Sequence, residues 1–491
     1  MGHPNSPLLP ETGEKWSTHS TGEKEEIGML TTSRQDLGIH LQNFTDFQRR
    51  AAGRNLPWLR TLREDAFARF AEAGFPTTHD EDWRFTNVAP IARTQFRLPG
   101  KTFVQLPPAE MNSCNIEGSA ARLVFVNGRF APELSSVGAL PKGVAVASLR
   151  EQIEGNSDQL STQLGRYADT HRDAFCALNT AFIEDGAYVH VKRGVVVEAP
   201  VHLLFVSTAN GIPLMSHPRN LLVFEDQSQA TVVEEYVSLG GGTMLSNSVT
   251  ELVAGEDSHV SHYMLERENR EAFNVSTLRI QQGRSASVAS HSFLLGGGLV
   301  RNNVHPVLAG EGGECLINGL FVGSGRQHLD NFMHVEHASP HCSSRQFYNG
   351  ILDDHARGVF HGRIVVHKDA QKTDAKQTNR NLLLSDDAQI DTKPQLEIYA
   401  DDVKCTHGAT IGQIDENALF YLRSRGLDEA GARQLLLLAF ASECVDRMKP
   451  GAAQVYVGRL IHAHLLPFRG FHSNQDSDGS GPSGRNWEEV G

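Results

Sequence analysis

The chain of 491 residues carries 45 Lys and Arg against 58 Asp and Glu, a formal net charge of −13. That balance argues against a nucleic-acid binder held by a broad basic face, because phosphate neutralisation needs clustered cations. The composition, 40% hydrophobic and 21% charged, is globular, and the longest apolar run, Leu435 to Ala441, falls far short of the roughly 20 residues that cross a bilayer. Six scattered cysteines (Cys114, Cys176, Cys315, Cys342, Cys405 and Cys444) form no CxxC pair, which suits a reducing compartment better than a disulfide framework. Residues 1–35 lack the apolar stretch of a secretory signal. The expectation is a cytoplasmic chain without membrane or nucleic-acid contacts.

Residues 1–35 are rich in Ser, Thr, Gly and Glu and read as a disordered extension in which Met29 is an alternative start. The Ser/Gly-rich acidic tail, 469–491, has the same character. From Leu41 to Ala73 the pattern turns helical: Pro57 suits a helix start, Trp58, Leu59, Leu62, Phe67 and Phe70 recur at spacings near 3 and 4, and Pro76 closes the segment. DEDWRFTNVAPI (Asp80–Ile91) and the strand-like LVFVNGRF (Leu123–Phe130) follow, within a helical or mixed region spanning 36–175.

Between 176 and 412 the chain becomes a succession of short β-rich runs, among them AYVHV, VHLLFVS, ATVVEEYVS and LEIYADDV, with turn residues between them and no interleaved helices. That argues against a doubly wound α/β fold and leaves a sandwich, a barrel or a solenoid. Runs opening near Asn220, Asn247, Asn274 and Asn302 recur at nearly equal intervals, which favours a parallel β-helix. Helices return in 413–468. Asp415 can cap Glu416–Arg425, with Gly426 as the stop, and Asp428 can cap a second helix reaching about Met448 before Pro450. The second helix is apolar around most of its girth, so one side packs on its own domain and the rest covers a further surface, intramolecular or a partner's.

Phosphate loops are missing: GxxxxGK[ST] is absent and no GxGxxG follows a strand. GxSxG and HExxH are absent as well, and no SxxK stands with supporting motifs. Asp353–Asp354, Asp386–Asp387 and Asp401–Asp402 fall in turn-like contexts, where carboxylates ordinarily cap backbone. Seven histidines (His328, His334, His337, His341, His355, His361, His367) gather between 328 and 367 with Cys342. In an extended strand His328, Asp330, His334 and Glu336 share one face. Such a set can hold Zn, Fe or Ni, but inter-coil hydrogen bonding or a solvent-facing sheet is the expected outcome. Cys405 and His407, at i and i+2 after a strand, point the same way and form a soft pair suited to iron or zinc, short of the four ligands a closed site needs.

The run FHGRIVVHKDAQKTDAKQTNRNLLLSDDAQIDTKPQLEIYADDVKCTHGATIGQID (Phe360–Asp415) resembles the most characteristic stretch of the SufB/SufD family, on its SufD branch. ALNTAFIEDGAYVHVKRGVVVEAPVHLLFVS (Ala177–Ser207), EDWRFTNVAPI and FYLRSRGLDEAGARQLLLLAFASE resemble further blocks of that family, so the resemblance spans about 36–468 and leaves both tails without a counterpart. It implies a right-handed parallel β-helix core flanked by N-terminal and C-terminal helical domains. It also implies a non-catalytic scaffold subunit of the SUF iron–sulfur cluster assembly machinery. In that role the chain pairs with a SufB-like paralogue and docks a SufC-like ABC-type ATPase through 413–468, which accounts for the missing P-loop.

The KC-[ST]-HGA motif of the family matches Cys405 and His407. His407, and with it Cys405, is implied as this chain's share of a transient iron–sulfur cluster site completed by the partner, with burial guarding the thiol and no cluster held stably by the lone chain. Self-association without partners, as a homodimer, stays open. The competing expectations are a stand-alone His-rich metalloenzyme and a carbohydrate-active β-helix enzyme.

Overall fold

A computed structural model describes residues 38–100, 106–209 and 211–468; the disorder expected for 1–35 and for the tail lies outside the described residues. Strands alternate between two facing sheets, 11-stranded and 10-stranded among the described residues, and neighbours pair in parallel from coil to coil, with antiparallel pairs confined to the N-terminal ends of the sheets. The fold is a parallel β-helix, as the recurrence in the sequence predicts. Its coils differ in length: the step from Phe273 to its neighbour Leu299 is among the shorter ones, and that from Arg357 to Gln389 among the longer. The asparagines that revealed the period are not themselves stacked: Asn220 faces Thr250, and Asn274 faces Ser246. The strand-like LVFVNGRF forms a hairpin, Ala121–Val126 with Arg129–Phe130, turned at Asn127 and Gly128, both at positive φ, the geometry that an Asn-Gly type I′ turn supplies. Its first strand joins the sheet beside Val201–Ser207.

One corner of each coil has the same construction. Gln227, Asp257, Ser285, Gly312, His341 and Lys372 all have φ between 51 and 71°. Each donates its backbone N–H to a carbonyl on the next coil, at Glu256, Arg284, Glu311, Pro340, Gln371 and Asp402, over 2.7–3.1 Å. Five of the six are not glycine, and a left-handed residue of that kind costs on the order of 1 kcal/mol, so the ladder overrides local preference here.

The strand period of two sends alternate residues inward. Leu329, Met333 and Val335 of His328–His337 enter the core between the sheets, along with Phe360 and Ile364 of the next coil. In the early coils polar groups join this apolar interior: buried Glu234 accepts hydrogen bonds from Thr250 (2.8 Å) and Tyr236 (2.9 Å) and meets His262 Nε2 at 3.1 Å. Helices cover the outer faces. A helix through 38–50, helix Pro57–Ala73 with proline in its first turn, and Ala174–Ala181 pack Phe44, Phe67, Phe70 and Phe175 against one sheet.

On the opposite sheet lie Glu429–Val445 and Ala452–Leu465. Asp415 caps Glu416–Ser424 through the N–H groups of Asn417 and Ala418, Gly426 follows its end at φ 97°, and Asp428 caps Glu429–Val445 through Gly431 N–H. The second helix is shorter than expected, ending at Val445. Its apolar girth is largely spent within the chain: Leu437, Phe440, Ala441 and Cys444 are buried, and Asn318 and Asn349 of the sheet donate to the carbonyls of Cys444 and Phe440 at 2.8 Å. Leu435 remains exposed.

The N-terminal elements are locked to the solenoid by one buried ion pair. Arg219, fully buried, meets Glu251 Oε1 at 2.7 Å and donates to Asn179 and Thr180 at 3.1 Å, while Glu251 accepts the N–H groups of Gly165 and Tyr167. Removing one partner leaves an uncompensated buried charge. Glu251→Ala is expected to cost about 3–5 kcal/mol, read as a lowered urea midpoint, whereas the surface change Glu154→Ala should leave the midpoint in place.

Candidate functional site

The last coil is built differently from the rest. Its strands, Gln389–Ile398 and Lys404–Gly412, stand at the ends of the two sheets, each paired on one side only. The long strands from Gln229 to Val366 bury half or more of their residues, but Lys404–Gly412 is exposed along almost its whole length. Ile390, Leu396, Val403 and Cys405 pack onto the final layer of the core while staying partly open, and Ile398 and Ile411 are 40% and 50% exposed. A solenoid end of this kind offers both unpaired backbone edges and an unfinished core, the features that terminal caps or partners normally cover.

Cys405 and His407 sit on this end strand, beside Ala375 and Gln377 of the preceding coil. Those two neighbours are buried, so the pair shares the inward-turned face of the strand, as the i, i+2 spacing predicts. In the chain alone His407 is exposed and Cys405 only partly buried, because among the described residues no further coil or helix lies over them; the burial expected of the pair concerns the complex with a partner. Burial still raises the Cys405 thiol pKa, with the Asp374 carboxylate adding to the effect and the backbone hydrogen bond at Ala375 working against it. The other five cysteines are unpaired and buried.

The histidines of 328–367 do not form one centre. His341 and His355 are exposed, His341 on the left-handed corner and His355 in a turn between strands. His337 faces the interior and meets Ser344 Oγ at 2.8 Å. On the outer face His328 meets Thr86 Oγ1 at 2.9 Å and His361 meets Gln395 at 2.7 Å. Of these three contacts that of His361 runs from coil to coil, as expected of the cluster, whereas His328 meets the N-terminal segment and His337 a serine of its own coil. His328, Asp330, His334 and Glu336 do share one face, but Asp330 is drawn to Arg301 (2.5 Å) and Thr86. His334 and Glu336 instead converge with His305, a residue of the preceding coil that the sequence pattern did not single out. The paired aspartates lie in turns and bends between strands, as their context predicts.

Comparison with known proteins adds identity to this geometry. Residues 205–440 match the core-domain model described as SUF system FeS cluster assembly, SufBD core domain, and residues 39–203 match the SufBD protein N-terminal region. An iron–sulfur cluster assembly SufBD family protein of Synechocystis is 36% identical over 78% of this chain and 86% of its own. The iron–sulfur cluster assembly protein SufD of Escherichia coli is 33% identical over 79% of this chain and 89% of its own, and that of Bacillus subtilis 26% identical over 80% and 90%.

The exposure of the end strand has a direct chemical readout. Because the thiolate is the reacting form, Cys405 is expected to be alkylated before the other five cysteines in the native chain, at a rate that keeps rising with pH above the usual cysteine range. Mass-spectrometric mapping after a short exposure to iodoacetamide checks this; labelling of Cys176, Cys315 or Cys444 ahead of Cys405 would contradict it. Two family models that between them span nearly all of 39–440, together with relatives matched over most of their length, lead to one assignment: the chain belongs to the SufBD family of iron–sulfur cluster assembly proteins of the SUF system.

Proposed function

We propose that this chain is a non-catalytic scaffold subunit of the SUF machinery that pairs, end to end, with a SufB-like paralogue and carries an ABC-type, SufC-like ATPase on its C-terminal helices. The observation that carries this reading is the unfinished solenoid end: two open β edges and a half-exposed core layer, matched in form to the end of another solenoid of the same fold. His407, with Cys405 on the same face, contributes ligands to a nascent iron–sulfur cluster that a cysteine of the paralogue completes. A thiol and an imidazole supply half of a tetrahedral shell, so the cluster is cargo held across the interface, and the lone chain keeps none. Without the paralogue, the same edges favour pairing with a second copy of the chain.

The helical end supports the ATPase part of the proposal. Phe420 and Val455 are 75% and 72% exposed, with Tyr421, Leu427 and Leu435 also open, more apolar surface than three short helices need for their own packing. With no phosphate loop in the chain, nucleotide hydrolysis falls to the partner. Closure of two ATPase subunits, one on each scaffold, would shift the two solenoids against each other. Stacked coils transmit such motion with little internal slack, opening the site between their ends to iron and sulfide.

Co-expression with the ABC-type ATPase of its own organism, followed by pull-down, tests the docking. The full chain is expected to retain the ATPase, and truncation after Gly412 to lose it. That truncation also bares the sheet beneath Leu437 and Phe440, so Phe420→Glu serves as the variant that keeps the fold; it is expected to weaken retention about tenfold or more, as loss of an interface anchor does. Retention of the ATPase by the truncated chain would overturn the docking assignment.

A further inference from the structure

Away from the solenoid end, three ligand-type side chains meet on the outer face of the helix-covered sheet. His305 stands on strand Leu299–Leu308, and His334 and Glu336 stand on His328–His337. Their candidate ligand atoms all lie within 4.8 Å of one another. His305 Nε2 is 2.7 Å and His334 Nε2 3.6 Å from the same oxygen, Glu336 Oε1, while the two imidazoles stack at 4.3 Å. The other Glu336 oxygen lies 3.3 Å from Nε2 of His367, which is half-exposed. Both His305 and His334 line a pocket between this sheet and the segments around Asp82 and Asp169.

Hydrogen bonding alone does not account for the arrangement. The guanidinium of Arg279 contacts His305 Nδ1. That nitrogen is therefore the acceptor, the ring proton sits on Nε2, and His305 donates to Glu336 Oε1. His334 Nε2 is left buried with no hydrogen-bond partner, although an orphaned buried polar atom is costly. Two imidazole nitrogens and a carboxylate directed at one point, with room for solvent beside them, are the donor set of a two-histidine, one-carboxylate metal site.

We propose that His305, His334 and Glu336 bind one divalent first-row transition ion, of the Fe(II) or Zn(II) class, with His367 placed to approach as a fourth ligand. This site is separate from Cys405 and His407: His334 stands beside Arg363, which stands beside Gln395 of the last coil, two coils in from the open end and on the other sheet. The metal site stands whether or not the chain serves as a scaffold. Arg279 acts as its lock. When the ion takes His305 Nε2, the displaced ring proton moves to Nδ1, and Arg279 must withdraw from that nitrogen. Asp173, 3.6 Å from the same guanidinium, is in place to receive it.

The test uses the full-length chain in a Cys405→Ala/His407→Ala background, stripped with chelator, so that the ligands at the solenoid end cannot contribute. Anaerobic titration with Fe(II), and in parallel with Zn(II), is followed by calorimetry; Co(II) reports the ligand type by absorption. The expected result is one ion per chain and a Co(II) spectrum of nitrogen and oxygen ligation without thiolate charge transfer. Binding should be weakened about 10-fold or more in His334→Ala and Glu336→Gln, the scale of losing or mis-setting a metal ligand. Arg279→Met, which removes the lock on His305 and leaves all three ligand side chains in place, is expected to tighten binding, an outcome that loss of folding cannot imitate. No saturable binding, or binding equally strong in His334→Ala and Glu336→Gln, would overturn the proposal.

Discussion

The backbone ladder from each coil to the next is the interaction on which everything else in this molecule depends. Its tightest expression is the left-handed corner, where six successive coils place a residue at positive φ and hand its N–H to the next coil. Five of those residues carry side chains that would rather be elsewhere in φ/ψ space, so the stacking geometry, and not local preference, fixes the corner. Once it is fixed, the parity of each strand follows. Parity then decides which side chains enter the core, which face the helices and which are presented where the stack ends.

The same ladder explains why chemistry collects in two places. At the end of the stack the inward face is no longer covered, so a thiol and an imidazole that would be core residues one coil earlier become reachable: Ala375 and Gln377, their neighbours, are buried, while His407 is open. On the outer face, stacking sets equivalent positions about 4.8 Å apart, which brings His305 and His334 face to face. Neither arrangement needs a shaped cavity or a mobile loop. Both arise from one period applied to a sequence that puts histidine at the right phase.

What the sequence discloses and what it conceals divide along that line. Signals set by near neighbours are legible: Pro57 opening a helix, Asp415 and Asp428 capping two more, and Cys405 with His407 on one face. The solenoid period is legible too, though Asn220 and Asn274 only approximate the stacking, since coils of unequal length blur any fixed count. Contacts between coils are not legible. His305 lies one coil before His334, and nothing local marks it as a partner. The polar interior around Glu234 and His262 is equally hidden, because alternation in a strand does not say which face is the inside when both are buried. Helix Ala452–Leu465 carries β-branched and glycine residues that are indifferent helix formers, and packing against the sheet makes up the difference.

The variation in coil length has a consequence for how such a chain can change over evolutionary time. Residues gained or lost in a turn leave the strands in phase, whereas a single residue gained inside a strand sends every later side chain of that strand to the opposite face. Loss or duplication of a whole coil is the gentler event: corners still meet corners, and the terminal strand simply moves along the axis by about 4.8 Å. Length in this architecture is therefore adjusted in quanta, and the surface presented at the tip can be carried unchanged on a longer or shorter shaft.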